Sequence, residues 1–109
     1  MVPKCGWVYM MASKSGTLYT GVTSELKWRV HQHKQNLRPG FTAKYKCHRL
    51  VFYERMETIE FAIQREREIK GWRRDRKQAL IRAMNPSWMD LSEKSARGPS
   101  FRLPHPGRP

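Results

Sequence analysis

A chain of 109 residues, 39% of them hydrophobic, can bury one modest core, and the composition excludes a second one. Lysine and arginine number 22 against 9 acidic residues, and the resulting net charge of +13 makes nucleic acid the leading partner. Cys5 and Cys47 form no C-x-x-C pair, so a zinc ribbon is excluded and reduced thiols are expected.

The first apolar run, Gly6 to Ala12, is shorter than the about 20 residues that a membrane span needs, and no signal-peptide cleavage pattern follows it. We therefore expect a cytoplasmic chain that does not associate with a membrane. A small-molecule cofactor is not expected either.

The N-terminal part of the chain predicts a β-hairpin. Gly6 to Ala12 (GWVYMMA) is rich in β-forming residues, Ser13 to Gly16 has turn chemistry, and Thr17 to Thr23 forms the second predicted strand. Gly21 has no side chain to pack inside that strand. It predicts either a bulge or a close approach of the backbone to a ligand.

A first helix is predicted from Glu25 to Asn36, with Thr23 or Ser24 as its N-cap and Pro39-Gly40 at its end. Helical spacing gives it one core-facing stripe. The stripe consists of Leu26, Val30, His33 and Leu37.

After this helix, Phe41 to Lys46 is predicted as a loop or short turn, and Leu50 to Glu54 (LVFYE) as a third, central strand. A second helix begins after the N-cap Thr58 and runs to Lys70. A third helix follows a break at Gly71 or Trp72 and runs to Met84.

Asn85-Pro86 stops the third helix, because proline disfavours helical geometry in the residue before it. Trp88, Met89 and Leu91 are expected to fold back onto the core. The chain thus divides into a folded domain over residues 1–91 and a disordered, basic, proline-rich tail over residues 92–109.

Four residues in the N-terminal half carry chemistry that converges in this arrangement. Tyr9 and Tyr19 lie on neighbouring predicted strands, while Arg29 and His33 share one face of the first helix. A guanidinium can stabilise the negative charge of phosphate hydrolysis, and an imidazole can move a proton near neutral pH. The alternatives remain a surface arginine, a core histidine and two strand aromatics that only pack.

Glu66 is unusual because the helical period turns it toward the apolar stripe of the second helix, between Ala62 and Ile69. A carboxylate seldom points inward without a partner. Two interpretations are open: an ion pair with Arg29, Arg65 or Lys70, or a ligand for a divalent metal. Mg²⁺ commonly takes one or two protein carboxylates and keeps several waters.

A basic run between Arg65 and Lys77 holds 7 basic and 3 acidic residues. It is either a solvated helix face or a surface that tracks phosphates. Trp72 within it is either a core residue or a platform for stacking bases. The residues predicted to bind nucleic acid are Arg65, Lys70, Trp72, Arg73 and Arg74.

Taken together, these residues resemble the GIY-YIG endonuclease superfamily, and most closely its small single-domain bacterial members, the YhbQ-like proteins. The residues that carry the resemblance are Val8-Tyr9, Tyr19-Thr20-Gly21, Arg29, His33, Glu66 and Asn85. It implies an α/β (α+β) fold in which a small three-stranded antiparallel sheet is flanked by helices. It also implies hydrolysis of phosphodiester bonds in DNA with one divalent metal, Mg²⁺ or Mn²⁺.

The resemblance further implies a role for each matching residue. Glu66 would hold the metal, Tyr19 would help to activate the attacking water, and Tyr9 would support or share that role. Arg29 would stabilise the transition state. His33 and Asn85 would assist.

The chain departs from the family pattern at Trp7, where the motif usually has glycine, and at Thr20, where it has isoleucine. Val22 stands where excision-repair members carry lysine. Without a sequence-recognition domain we expect weak sequence specificity, as in DNA repair or recombination. The alternative function is a non-catalytic nucleic-acid-binding protein that uses the same basic cleft, and RNA is an open alternative to DNA.

Overall fold

The first strand of the chain lies at the centre of the sheet. A computed structural model describes residues 4–37 and 40–93, and in it every residue of Gly6–Ala12 (β1) is buried. Leu18–Thr23 (β2) pairs with one edge of β1 and Arg49–Met56 (β3) with the other, both antiparallel. A strand covered on both faces needs a continuous apolar run, and GWVYMMA supplies one.

Helices cover both faces of this sheet, which confirms the predicted fold class. The described residues form the helices Leu26–Lys34 (α1), Phe41–Tyr45 (α2), Ile59–Lys70 (α3) and Arg74–Met84 (α4). Successive side chains of a strand point to opposite faces, so β1 contributes to two separate clusters.

One cluster, on the α1 side, joins Tyr9 and Met11 to Leu26 and Val30 of α1. The other, on the α3 side, is built on Val8, Met10 and Ala12 of β1 and contains Ala62, Ile69 and Ile81 from α3 and α4. The sheet therefore separates α1 from the α3–α4 pair.

The start of α3 was predicted correctly. Thr58 caps it, and its side-chain oxygen accepts a hydrogen bond from the Phe61 N–H at 3.2 Å. Gly6 allows the helix to lie close to β1, because a Cβ at Gly6 would stand 2.6 Å from the Ala62 Cβ. The predicted ends of α3 at Lys70 and of α4 at Met84 are also confirmed.

The prediction that the third strand is central was wrong. β3 pairs only with β1 among the described strands, and it runs from Arg49 to Met56 rather than from Leu50 to Glu54. Its apolar run is shorter than that of β1 and has charged residues at both ends. Such a strand suits an edge of the sheet, where one side of the backbone is open.

The predicted N-cap and the predicted C-terminal end of the first helix were wrong. α1 starts at Leu26, next to the predicted start, and its N-cap position is Glu25 without a side-chain cap. Thr23 instead accepts a hydrogen bond from the Glu25 N–H at 3.0 Å. At the other end, Asn36 adopts a left-handed conformation with φ of 54°.

This conformation of Asn36 ends α1 at Lys34, well before Pro39-Gly40. The Leu37 N–H bonds to the Gln32 carbonyl at 2.9 Å and the Asn36 N–H to the His33 carbonyl at 3.2 Å, which is a Schellman motif. Leu37 is therefore off the helix and 56% exposed, not part of the core stripe as predicted.

Two further predictions need correction. The segment predicted as a loop or short turn contains α2, whose Thr42 is buried. Among the residues expected to fold back, Trp88 and Leu91 do pack on the core, but Met89 is 54% exposed. Ser92 and Glu93 are described, whereas the rest of the predicted tail, residues 94–109, lies outside the described residues.

Gly21 is required by the packing of two tyrosines rather than by a bulge. The register of β1 with β2 runs through the Tyr9–Gly21 pair without interruption. A Cβ at Gly21 would stand 2.6 Å from the Tyr9 hydroxyl oxygen and 2.8 Å from Cε2 of Tyr19. The Tyr9 ring thus crosses over Gly21. The ring occupies the space that a ligand would need, so the predicted alternative, a close approach of a ligand to Gly21, is not what the structure shows.

We predict that Gly21→Ala lowers the free energy of unfolding by about 1–3 kcal/mol, because the buried Tyr9 ring must move. Urea unfolding followed by circular dichroism measures the change. The matched control is Gly71→Ala, where the nearest atom to the new Cβ is 3.5 Å away. Equal stability of Gly21→Ala and the unmodified protein would contradict this account of the motif.

Candidate active site

Tyr9 and His33 form the centre of the candidate site. Tyr9 is fully buried on the α1 side of β1, and its hydroxyl lies 2.7 Å from Nε2 of His33. The other ring nitrogen of His33, Nδ1, lies 2.9 Å from the hydroxyl of Thr42. His33 and Thr42 are 3% and 4% exposed, so both hydrogen bonds are shielded from water.

The environment of Tyr9 keeps its phenol protonated. Burial, with the neighbouring Tyr19, raises the pKa of Tyr9 well above its usual value, and Arg29 only partly opposes the shift. The protonated phenol shares a hydrogen bond with Nε2 of His33, and the Thr42 hydroxyl shares one with Nδ1.

Arg29 lies at the open end of this chain. Its positive charge is near enough to Tyr9 to favour the ionised phenol, and so it lowers the pKa of Tyr9 against the larger effect of burial. The Arg29 Nε also donates to the Gln32 side-chain oxygen at 3.2 Å, which holds the guanidinium from within α1. A fixed guanidinium of this kind suits a developing phosphate charge.

Tyr19 completes the group and is less buried than Tyr9. Its ring centroid lies 5.3 Å from that of His33 and 6.1 Å from that of Tyr9. The structure therefore brings together four of the predicted residues: two phenols, one imidazole and one guanidinium. Of these, Tyr19 is the phenol that an incoming substrate can contact.

Glu66 extends from α3, which packs on β1 and β2 from the opposite face of the sheet. Its side chain is 15% exposed, and one carboxylate oxygen lies 3.4 Å from the ammonium of Lys70. The inward orientation is thus confirmed, and the ion pair that the sequence left open forms with Lys70. The Lys70 side chain is 54% exposed, so it gives the carboxylate only a solvent-screened partner.

The donors for a metal are few. Within residues 4–37 and 40–93 no three His, Cys, Asp or Glu side chains are grouped as a ready-made metal site. Glu66 is a mostly buried carboxylate paired only with the exposed Lys70 side chain, and this suits an ion such as Mg²⁺ that takes one or two protein carboxylates and keeps several waters.

Asn85 has a structural environment. Its amide nitrogen donates to the carbonyls of Val51 at 3.1 Å and Met89 at 2.8 Å, and its oxygen accepts from the Met89 N–H at 3.0 Å. These bonds tie the segment after α4 to β3. The assisting role implied by the resemblance stays a prediction.

The predicted nucleic-acid-binding residues are spread over α3, α4 and the turn between them. Arg65 pairs with Glu54 at 2.9 Å, and Arg74 donates to the Gly16 carbonyl.

Trp72 packs against the α3-side cluster. The Arg76 guanidinium lies 4.0 Å and that of Arg65 5.2 Å from its ring centroid. These contacts favour the core interpretation of Trp72. Lys70 and Arg73 are exposed, as phosphate contacts require.

Two residues of the site were missed from the sequence. Gln32 could have been found, because residues three apart on a helix are neighbours and it follows Arg29 at that spacing. Thr42 could not, since its segment was predicted as a loop and nothing in the sequence places it beside His33.

Comparison with known proteins assigns this arrangement to a family. The GIY-YIG catalytic domain matches residues 5–79, which include both tyrosines, Arg29, His33 and Glu66. The chain belongs to the GIY-YIG family. It is thereby a member of a nuclease family, whose substrates are nucleic acids.

The relatives of this GIY-YIG chain are small proteins. UPF0213 proteins of Staphylococcus aureus strains Mu3 and N315 are each 34% identical over 76 residues, covering 70% of this chain and 93% of the relative. The solution NMR structure of a UPF0213 protein from Bacillus halodurans superimposes with a TM-score of 0.53 at 25% identity. That match covers 84% of this chain and 97% of the other. No helix among the described residues has the length and apolar character to cross a membrane.

We predict that Thr42→Val removes the partner of Nδ1 and lowers the free energy of unfolding by about 1 kcal/mol, whereas Thr42→Ser retains most of the stability. The imidazole ¹⁵N shifts should change in Thr42→Val, because Nδ1 of His33 loses its hydrogen bond with the Thr42 hydroxyl. Unchanged shifts would contradict this hydrogen bond in the GIY-YIG domain.

The raised pKa of Tyr9 predicts a dependence on alkaline pH. The unfolded chain releases the phenol proton near pH 10 while the folded one keeps it, so this contribution to stability is present below about pH 10 and is lost as the pH rises. Ultraviolet absorbance titration of the folded protein should show phenols that ionise late. Burial also raises the pKa of Tyr53, so Tyr9→Phe is needed to identify the component. Loss of a normally titrating phenol in Tyr9→Phe would contradict the assignment.

Proposed function

We propose that this protein is a divalent-metal-dependent endonuclease that hydrolyses phosphodiester bonds in DNA with weak sequence specificity, in repair or recombination. The observation that carries the proposal is the group formed by Tyr9, Tyr19, Arg29 and His33 within a GIY-YIG domain. The net charge of +13 supports a polyanionic substrate.

The two phenols have different roles in this proposal. Tyr9 is fully buried and holds its proton, so it positions His33 and Arg29 and does not touch the substrate. Tyr19 faces the attacking water and accepts its proton. For a phenol with the reference pKa of about 10, the ionised form costs about 4 kcal/mol at pH 7, and nearby positive charge lowers that cost.

Arg29 stabilises the charge that develops on the phosphate. The Gln32 side-chain oxygen accepts a hydrogen bond from the Arg29 Nε and holds the guanidinium from within α1, so the guanidinium needs little reorganisation during the reaction. Removal of one such fixed donor commonly lowers kcat by about 10²–10³-fold.

Glu66 would hold the divalent ion, Mg²⁺ or Mn²⁺, which supplies positive charge to the phosphate and acidifies a bound water. α3 packs on the face of the sheet opposite the phenols, and it also packs against β2. The proposal therefore requires the substrate to reach both groups across the outer edge of β2, which has no strand beyond it in the described sheet.

Nicking of supercoiled plasmid with Mg²⁺ or Mn²⁺ tests the proposal. We expect Glu66→Gln to lower the nicking rate by at least about 100-fold and to retain DNA binding, because an amide is a poorer metal ligand. Glu68→Gln, an exposed residue on the same helix, is the matched control and should nick at the unmodified rate.

Nicking that persists in Glu66→Gln would refute the metal site. If the unmodified protein gives no product with any divalent metal but binds DNA with a steep salt dependence, the domain is the alternative, a non-catalytic nucleic-acid-binding protein.

A further inference from the structure

α2 presents an aromatic surface beside the candidate active site, formed by Tyr19, Phe41 and Tyr45. Phe41 and Tyr45 are four residues apart on one side of the helix, and each is 44% exposed. Their ring centroids are 4.6 Å apart, and that of Phe41 is 6.0 Å from that of Tyr19. The rings thus form a continuous row that leads outward from the site.

The inner side of α2 is already occupied. Thr42 bonds to His33, and the Cys47 that follows the helix is fully buried in the α1-side cluster. Phe41 and Tyr45 are therefore held outward by the same short helix that anchors the imidazole. Adjacent exposed aromatic side chains of this kind are typical of binding surfaces.

The charge around the aromatic surface indicates the chemistry of its partner. Residues 40–49 contain no acidic residue and include Lys44, Lys46 and Arg49. The Lys44 ammonium lies 5.4 Å from the centroid of the Tyr45 ring. Flat apolar rings with cations beside them match nucleobases joined by phosphates, since bases stack on aromatic side chains while the backbone binds cations.

We propose that the aromatic surface binds unpaired bases of a DNA strand next to the bond that is cut. Bases in a duplex already stack on each other, so protein rings reach their faces only where the strand is single or frayed. This inference rests on the proposed function for its substrate, and it makes single strands, flaps and frayed ends better ligands than intact duplex.

Binding of oligonucleotides that carry 2-aminopurine, measured in EDTA, tests the inference. We expect the double variant Phe41→Leu/Tyr45→Leu to bind single-stranded DNA about tenfold more weakly and to lose the quenching that stacking causes. Affinity for duplex DNA should stay the same. Phe61→Leu is the matched control, because Phe61 is 51% exposed but lies on α3.

A second variant separates stacking from folding. Phe41→Trp/Tyr45→Trp keeps aromatic faces at both positions and should retain single-strand affinity and quenching. Single-strand affinity that is unchanged in the leucine variant, or that falls equally for duplex, would overturn the inference.

The test in EDTA does not depend on hydrolysis. If plasmid nicking fails while quenching depends on Phe41 and Tyr45, the nuclease proposal falls and the stacking surface remains. If nicking depends on Glu66 but the leucine variant binds normally, the nuclease proposal stands and the stacking surface is refuted.

Discussion

The hydrogen bond from the Tyr9 hydroxyl to His33 holds the candidate site together, and it exists because Gly21 leaves room for the ring. Tyr9 belongs to β1, Gly21 to β2, His33 to α1 and the supporting Thr42 to α2, so one buried chain of contacts connects four elements. These hydrogen bonds are shielded from water, so they hold the side chains in place more firmly than exposed hydrogen bonds would. The reason is that a buried polar group without a partner costs more free energy than an exposed one. Arg29 lies one helical turn before His33 on α1, and its charge acts on the Tyr9 phenol.

The site has an inner layer of buried side chains and an outer layer of exposed ones. Tyr9, His33 and Thr42 are buried and keep fixed positions, whereas Tyr19, Phe41 and Tyr45 reach the surface, where a substrate can bind. α2 contributes to both layers, although it has only 5 residues. A domain of this size can thereby combine buried, fixed side chains with exposed aromatic ones at one site.

Much of this was readable from the sequence. The hairpin, α3, α4 and the grouping of Tyr9, Tyr19, Arg29 and His33 follow from strand alternation, helical spacing and capping signals. The errors have physical causes. The left-handed conformation of Asn36 ends α1 early. β1 lies at the centre of the sheet because its apolar run suits a strand that is covered on both faces. Thr42 reaches the site through tertiary packing, and its segment has no periodic pattern that would predict this. The packing role of Gly21 depends on the register of β1 with β2, which cannot be derived from this sequence alone.

The proposed function depends most on Glu66 holding a divalent ion close to the phenol of Tyr19. Paramagnetic broadening by Mn²⁺ in NMR spectra tests it most directly, without any need for turnover. Added Mn²⁺ should broaden the ring signals of Tyr19 and the side chain of Arg29, and Glu66→Gln should restore them. Sharp Tyr19 signals while other acidic residues broaden would place the ion elsewhere and contradict the shared site.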